Sequence, residues 1–314
     1  MQAKTTRILL ATASAAAMSL YAGGPAFAAD PAEAYTPVPP VQQRTISGTV
    51  DLFTGHQFVW NDSDGGNCTS DDCPDFVFGG EARVDVPFGD TFGIQLDATA
   101  IVPGGFSDEP DSDTHWLGNA QGGVHVYSRQ DRYLFGVFAG GGRVWTGSSE
   151  NIGLFFAGAE GQYHFNSNMT LYGQAGFVDG SRDDTEGQLE SAGFLRGVGR
   201  YFFNSGMTKA EAEVAYIAGQ ADNDDAHLWA FGAEVEHQVH TFANGDGFAS
   251  VFARYEGKWG HTDDDDEDTK DQRVYVGIKL NMNQMNLQGR NLNGDTLDLP
   301  DFGAWVHAAC SAEC

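Results

Sequence analysis

Charged side chains recur at every second position along several segments of this 314-residue chain. Acids and bases mix within one such row, as in Arg254, Glu256 and Lys258. Alternate side chains of an extended strand share one face, so each row would gather ionic groups on one side. Such a face can line a water-filled pore with a transverse field, or it can close on itself through ion pairs. The residues predicted to line an interior are Glu81, Arg83, Asp97, Arg143, Glu160, Arg196, Arg200, Glu211, Glu234, Glu236, Arg254, Glu256 and Lys279.

Acid-rich stretches form a second group of residues that could bind ions. Three interpretations stay open: solvated loops that resist self-association, a rim that attracts cations, and oxygen ligands for Ca²⁺ or Mg²⁺. The spacing of an EF-hand is absent, so the metal remains unknown. The acids concerned are Asp62, Asp64, Asp71, Asp72, Asp75, Asp108, Asp111, Asp113, Asp222, Asp224, Asp225 and Asp263–Asp268.

A lipid hydrolase needs a serine and a histidine within hydrogen-bond reach of each other. His237 and Ser250 fall on neighbouring predicted strands, but strand alternation places them on opposite faces. Asp224, Asp225 and His227 are close in sequence only, which is weak support for a protease-like set. We therefore predict that the chain is not an enzyme and needs no cofactor.

Composition excludes several classes of function. The chain carries 17 basic and 44 acidic residues, a formal charge of −27, whereas nucleic-acid binding requires clustered Lys and Arg. It contains no phosphate-binding loop, zinc-spaced Cys/His set or kinase signature. With 41 glycines and 12% aromatic residues, the composition favours strands and turns over helices.

The N-terminus has the features of an export signal. Lys4 and Arg7 precede an apolar stretch over 8–20, and Ala26-Phe27-Ala28 supplies the small residues of a cleavage site. We predict a signal peptide over 1–28 and a proline-rich periplasmic leader over 29–44.

Export also sets the redox state of the four cysteines, because secreted proteins fold in oxidising compartments. Three disulfide connectivities are formally available. The spacing favours two small local loops, Cys68–Cys73 and Cys310–Cys314.

Period-two alternation dominates from Thr45 onward and predicts an all-β chain of about twelve strands. No later segment has the 18 consecutive apolar residues of a membrane-spanning helix. The predicted strands are about 45–60, 76–88, 92–102, 115–129, 132–146, 152–166, 168–178, 190–203, 207–219, 227–240, 247–260 and 273–283.

The predicted connections alternate between short turns and longer acidic loops. This alternation is typical of outer-membrane barrels, which have short periplasmic turns at one rim and longer extracellular loops at the other. Aromatic residues near the strand ends agree, because such barrels carry an aromatic girdle at each bilayer interface. Near the long-loop ends lie Trp60, Trp116, Trp145, Trp229 and Trp259. Near the short turns lie Phe88, Phe92, Tyr127, Tyr133, Phe165, Tyr201, Phe203, Phe242 and Phe248.

The chain resembles the porin-like outer-membrane β-barrels of Gram-negative bacteria, especially those of alphaproteobacteria. The resemblance rests on Ala28-Ala29-Asp30 before the proline-rich leader, on the amphipathic hairpins, and on Tyr275–Met282, which is similar to the terminal-strand signal read by the barrel-assembly machinery. It covers 45–283 and implies a closed antiparallel transmembrane barrel in contact with outer-membrane lipid and lipopolysaccharide. Such barrels commonly end on the last strand. Here 284–314 follow, predicted as a periplasmic tail that docks under or inside the barrel or stays mobile.

The expected function is passive diffusion of small hydrophilic solutes or cations through a porin-like channel. The first alternative is a non-conducting structural barrel whose acidic loops bind divalent cations or a surface. The second is the lipid hydrolase considered above. The sequence does not fix the solute, the openness of the lumen or the oligomeric state, and a homo-oligomer stays open.

Overall fold

The structure is a computed structural model, and it describes residues 44–61, 76–103, 116–146, 151–181, 189–221, 224–243, 245–262 and 267–309. Its strands are β1 Ser47–Asn61, β2 Phe76–Phe88, β3 Phe92–Pro103, β4 Trp116–Arg129, β5 Tyr133–Thr146, β6 Ile152–Asn166, β7 Met169–Ser181, β8 Leu189–Phe203, β9 Thr208–Ala221, β10 Asp224–Thr241, β11 Gly247–Thr262 and β12 Glu267–Met282. Two helices follow, α1 Leu287–Asn293 and α2 Phe302–Ala309. Neither helix is long and apolar enough to cross a membrane.

The twelve strands form one closed antiparallel barrel. Each strand pairs with its neighbours in sequence, and β1 pairs with β12 from Gly48 opposite Met282 to Asn61 opposite Thr269. Closure leaves no unpaired sheet edge, which is the condition for strands to span a bilayer. The predicted closed antiparallel barrel of about twelve strands is therefore confirmed.

The two faces of the strands are the reverse of those in a water-soluble barrel. Apolar side chains such as Leu195, Val235 and Phe135 point outward and are more than half exposed. Charged side chains such as Glu236 and Arg273 point inward and are fully buried. An apolar outer surface of this kind suits contact with acyl chains, where a cation near the midplane would cost about 2–4 kcal/mol.

The short connections use the backbone conformations that tight turns require. Between β8 and β9, Asn204, Ser205 and Gly206 have φ of 54°, 56° and 79°. Asparagine and glycine tolerate this left-handed region better than other residues do. These local choices keep the strand ends together at one rim.

Most of the predicted aromatic girdle at the short turns points outward, including Phe92, Tyr201 and Phe165. Tyr127 and Phe248 are exceptions, since both are buried inside the barrel. Their positions in the alternation place them on the inner face, where Phe248 joins Phe202 and a leucine of α1 in a small cluster. Trp229 and Trp259 lie opposite each other near the long-loop rim and are exposed outward.

Candidate functional site: the barrel lumen

The chain turns at Asn283 after the last strand, and residues 284–309 then lie inside the barrel. Their polar groups bond inward-facing side chains of β1, β3, β4, β6, β7, β8, β10 and β12. We call residues 284–309 the plug. The segment predicted to be a periplasmic tail therefore occupies the lumen, one of the positions that the sequence left open.

Asp298 is the principal ionic anchor of the plug. Its two carboxylate oxygens lie 2.7 Å from Nη2 of Arg196 and 2.7 Å from Nη2 of Arg200, both on β8. The backbone carbonyl of Asp298 also accepts from the side chain of Gln174, at 2.9 Å. Burial opposes ionisation of Asp298, but the attraction of Arg196 and Arg200 outweighs burial and holds its pKa below the usual range.

A second anchor lies toward the short-turn rim. Asn286 caps α1 by accepting from the backbone N–H of Gly289. Arg290 then contacts Glu236 at 3.1 Å and donates to the side chain of Asn281 on β12. Burial raises the pKa of Asp295 to about 6, although Arg290 attracts its charged form. Thr49 on β1 donates a hydrogen bond to the Asp295 carboxylate.

Arg129 on β4 fixes the end of α1. Its guanidinium donates to the backbone carbonyls of Leu292, at 2.5 Å, and Gly294, at 2.9 Å. Cations favour the C-terminal ends of helices because unsatisfied carbonyls gather there. Nearby, Arg44 at the end of the leader pairs with Asp85 at 3.2 Å, so both ends of the barrel chain are anchored at this rim.

The barrel wall carries its own belt of ion pairs, which we call the wall belt. Arg200 contacts Glu211 on β9 at 2.8 Å, and Arg196 pairs with Glu213 on the same strand. Further belt pairs join Arg254 to Glu234 at 2.8 Å, Arg254 to Glu81 at 3.0 Å, Arg83 to Glu81 at 2.7 Å, Lys209 to Glu234 at 2.9 Å, and Lys279 to Asp51 at 3.2 Å. Most of these pairs bridge strands next to each other. The charges therefore alternate around the wall, and they do not separate into two opposed sides with a transverse field.

His125 forms the polar centre on the other side of the lumen. Its Nδ1 lies 2.8 Å from Glu160, and its Nε2 lies 3.4 Å from Asp97. Glu160 also accepts from the hydroxyl of Tyr172 at 2.6 Å. Because all of these groups are buried, the interactions hold the side chains in one arrangement.

The lumen toward the long-loop rim is apolar. We call this region the apolar chamber, and its wall is formed by Phe53, Val77, Ile101, Phe138, Val144, Ile152, Leu154, Phe156, Val178, Phe194, Ile217, Leu228, Phe252 and Tyr275. Helix α2 lies within it: the ring of Phe302 stacks on Phe156 at 4.4 Å, and Trp305 contacts Phe194 edge-on at 5.8 Å. The charged rows in the sequence do not indicate this region, because they mark only the polar part of the inner face.

Glycines create the space for these rings. A Cβ at Gly140 would lie 2.6 Å from the ring of Phe156, and a Cβ at Gly79 would lie 2.3 Å from the ring of Phe53. Aromatic side chains can therefore lie flat across the neighbouring strand only where that strand has glycine. This packing accounts for part of the high glycine content.

Between the plug and the wall belt there is a cavity of about 80 Å³. Glu211, Glu213, Arg254 and Glu256 face it, and Trp305 with Ile101 closes its apolar end. Residues of β8 to β11 make up most of the strand residues that line this cavity, and the plug lines the rest of it together with a few residues of the other strands.

Twelve of the thirteen predicted interior residues point inward, namely Glu81, Arg83, Asp97, Glu160, Arg196, Arg200, Glu211, Glu234, Glu236, Arg254, Glu256 and Lys279. The prediction for Arg143 is wrong. Arg143 lies opposite Ala120 and next to the buried Val144, so its side chain is exposed on the outer face near Trp145. Gly140–Gly142 directly precede Arg143 and have no side chains. The sequence therefore shows no apolar-polar alternation there from which the inward face could be predicted.

The side chains considered for a hydrolase stay apart. Ser250 points inward and donates to Glu236 at 2.6 Å, whereas His237 is exposed outward and its Nδ1 lies 2.9 Å from the Thr208 hydroxyl. His227 contacts the Tyr216 hydroxyl at 3.0 Å. The predicted signal peptide, leader residues 29–43, all four cysteines and most of the acidic loop residues lie outside the described residues. Within the described part of the chain no His, Cys, Asp or Glu cluster has a metal-binding arrangement.

The barrel is similar to several solved outer-membrane proteins. An outer membrane channel from Pseudomonas putida F1 shares 13% identity over 77% of this chain and 96% of that chain, with a TM-score of 0.48. A Pseudomonas aeruginosa FadL homologue shares 10% over 76% and 90%, with a TM-score of 0.43. The KdgM porin in complex with disordered oligogalacturonate shares 10% over 74% and 98%, with a TM-score of 0.37. Similarity at this level is confined to barrel architecture.

No protein-family model and no curated protein sequence matches the chain. The resemblance to alphaproteobacterial porin-like barrels therefore remains a prediction.

Proposed function

We propose that the protein is an outer-membrane, porin-like channel for small hydrophilic solutes or cations, and that its own C-terminal plug closes the lumen. The outward apolar surface and the exposed aromatic residues near both rims support a position in a bilayer. The predicted signal peptide and the long acidic loops support export and an acidic outer rim.

The observation that carries the proposal is that the wall belt is paired without the plug. Arg196 and Arg200 each contact Asp298, but they also contact Glu213 and Glu211 on β9. If the plug left, these guanidinium groups would keep a carboxylate partner and gain water. Such a wall is compatible with a hydrated lumen, whereas buried charges with no other partner would bind the plug permanently.

The test is electrical recording from single barrels in a planar lipid bilayer. The full chain should be closed with rare openings. The substitution Asp298→Lys places a third cation beside Arg196 and Arg200 and should expel the plug, giving discrete conductance with a preference for cations. The matched control is Glu256→Gln, which removes a lumen acid whose ion-pair partners are Arg254 and Lys258 on the wall.

Heat-modifiable migration on a gel verifies that each variant has formed its barrel. Conductance that stays absent in Asp298→Lys, or that prefers anions, contradicts the proposal.

The number of plug contacts favours one competing function, a structural barrel that does not conduct. This alternative predicts that Asp298→Lys stays silent even when its plug is shown to have left the lumen. Amide exchange of the plug, described in the Discussion, separates the two outcomes.

A further inference from the structure

The inner face of the barrel toward the long-loop rim is apolar, although a polar surface is expected there. Inward positions of a channel for hydrophilic solutes are expected to be polar, because they face water. Here the inward positions carry aromatic and aliphatic side chains, including Phe156, Phe194 and Ile217, and each is at most 5% exposed. Phe302 of α2 covers two of them, Phe156 and Phe194.

Helix α2 is held differently from the rest of the plug. Residues 290–301 make ion pairs and hydrogen bonds to the wall through Arg290, Thr296 and Asp298. Among the described residues of α2, the contact with a polar wall group is a long hydrogen bond of 3.4 Å from the Gly303 N–H to Gln121. The N-terminus of α2 is capped by Asp301, which accepts from the Ala304 N–H and pairs with Arg273 on β12. Phe302 and Trp305 contact the wall through their rings, so another apolar molecule can replace these rings without breaking the ionic anchors.

One polar group in the chamber has no hydrogen-bond partner. The hydroxyl of Tyr275 is buried and unpartnered within the described residues, although its ring is 1% exposed and packs against Phe53 at 5.0 Å. A buried hydroxyl without a hydrogen-bond partner lowers the free energy of unfolding by about 1–3 kcal/mol, so such groups are uncommon in the interiors of folded proteins. A molecule with one hydrogen-bonding group would satisfy it.

We infer that the apolar chamber is a binding site for an uncharged aromatic small molecule with one hydrogen-bonding group, and that this molecule competes with Phe302 and Trp305 of α2. The ring of Phe302, which stacks on Phe156 and meets Phe194 edge-on, shows the geometry that such a ligand would adopt. Tyr275 would bond its polar group. The inference goes beyond the proposed channel, because binding requires no passage of solute.

The test measures binding of 1-naphthol and of naphthalene to the full chain in lipid nanodiscs, with empty nanodiscs subtracted. The variant Phe302→Ala/Trp305→Ala removes the competing rings and should bind 1-naphthol at least tenfold more tightly than the wild type. In that background Tyr275→Phe should weaken binding of 1-naphthol about tenfold and leave binding of naphthalene unchanged.

The chain offers a matched aromatic pair for the control. Phe155 and Phe177 contact each other at 5.8 Å on the outer face, whereas Phe156 and Phe194 lie inside. In the same background, Phe156→Ala/Phe194→Ala should weaken binding at least tenfold, and Phe155→Ala/Phe177→Ala should not change it. Circular dichroism and heat-modifiable migration verify the barrel in each case.

Equal binding by the wild type and the Phe302→Ala/Trp305→Ala variant would overturn the inference. So would an equal loss in the inner and outer pairs, since that result indicates partition into the lipid. Failure of the channel proposal is separate: a silent bilayer recording leaves these binding results unaffected.

Discussion

The contact between Asp298 and β8 provides a quantitative test of how the plug is held. Asp298→Asn removes the charge but keeps the size of the side chain. Breaking a buried ion pair costs about 3–5 kcal/mol when the remaining charge has no partner. Arg196 and Arg200 keep Glu213 and Glu211, so we expect the lower limit, about 3 kcal/mol. At 25 °C this lowers the ratio of docked to undocked plug roughly 150-fold.

Amide hydrogen exchange measures this ratio directly. The backbone N–H of Leu297 donates to the side chain of Gln95 at 3.1 Å, so the amide is protected while the plug is docked. Exchange at Leu297 should be roughly 150-fold faster in Asp298→Asn at pH 7. The matched control is Asp295→Asn, three residues away. Burial raises the pKa of Asp295 to about 6, so its carboxylate is charged at pH 7 and this charge disfavours docking. Removing the charge should therefore slow exchange at Leu297. Unchanged exchange in Asp298→Asn, or equal acceleration in both variants, would refute this account of the plug.

Three further predictions concern the plug and the wall. Because the pKa of Asp295 is raised from 3.8 to about 6, its contribution to docking is complete below about pH 4 and is lost as the pH rises through 6. The protection factor of the Leu297 amide, which is the intrinsic exchange rate at each pH divided by the observed rate, should fall over this range in the wild type and stay flat in Asp295→Asn. Phe302→Ala should reduce the free energy of docking of α2 by about 3 kcal/mol. Exchange should then be faster in α2 while the Leu297 amide stays protected. Equal acceleration at both sites would contradict separate anchoring of α2. Arg143→Ala should leave both exchange and conductance at wild-type values, since Arg143 faces outward; a changed conductance would show that it reaches the lumen.

The barrel was accessible from sequence because its signal is local and repeated. Alternation fixes which side chains share a face, and the predicted strand bounds of β2 and β6 agree with the structure. The strands β10 and β12 begin earlier than predicted, at Asp224 and Glu267. Their first residues are acidic and suggested a loop, but strands that extend beyond the bilayer meet water on their outer face and can carry charge there.

The plug could not be predicted in the same way, because its position depends on partners far away in the sequence. Asp298 meets arginines of β8, and Arg290 meets a glutamate of β10. The available signal was the combination of apolar residues such as Phe302 with isolated charges in a segment beyond the last strand. That pattern indicates burial near ionic partners, but it does not indicate which wall the segment contacts.

The seam between β1 and β12 has a consequence for the order of assembly. The seam runs from Gly48 opposite Met282 along both strands, and it uses none of the residues that follow. Residues 284–309, which follow the last strand, therefore lie at the centre of the molecule without taking part in its closure. We expect the ring to close around water first, and residues 284–309 to fold inside the finished ring and expel that water.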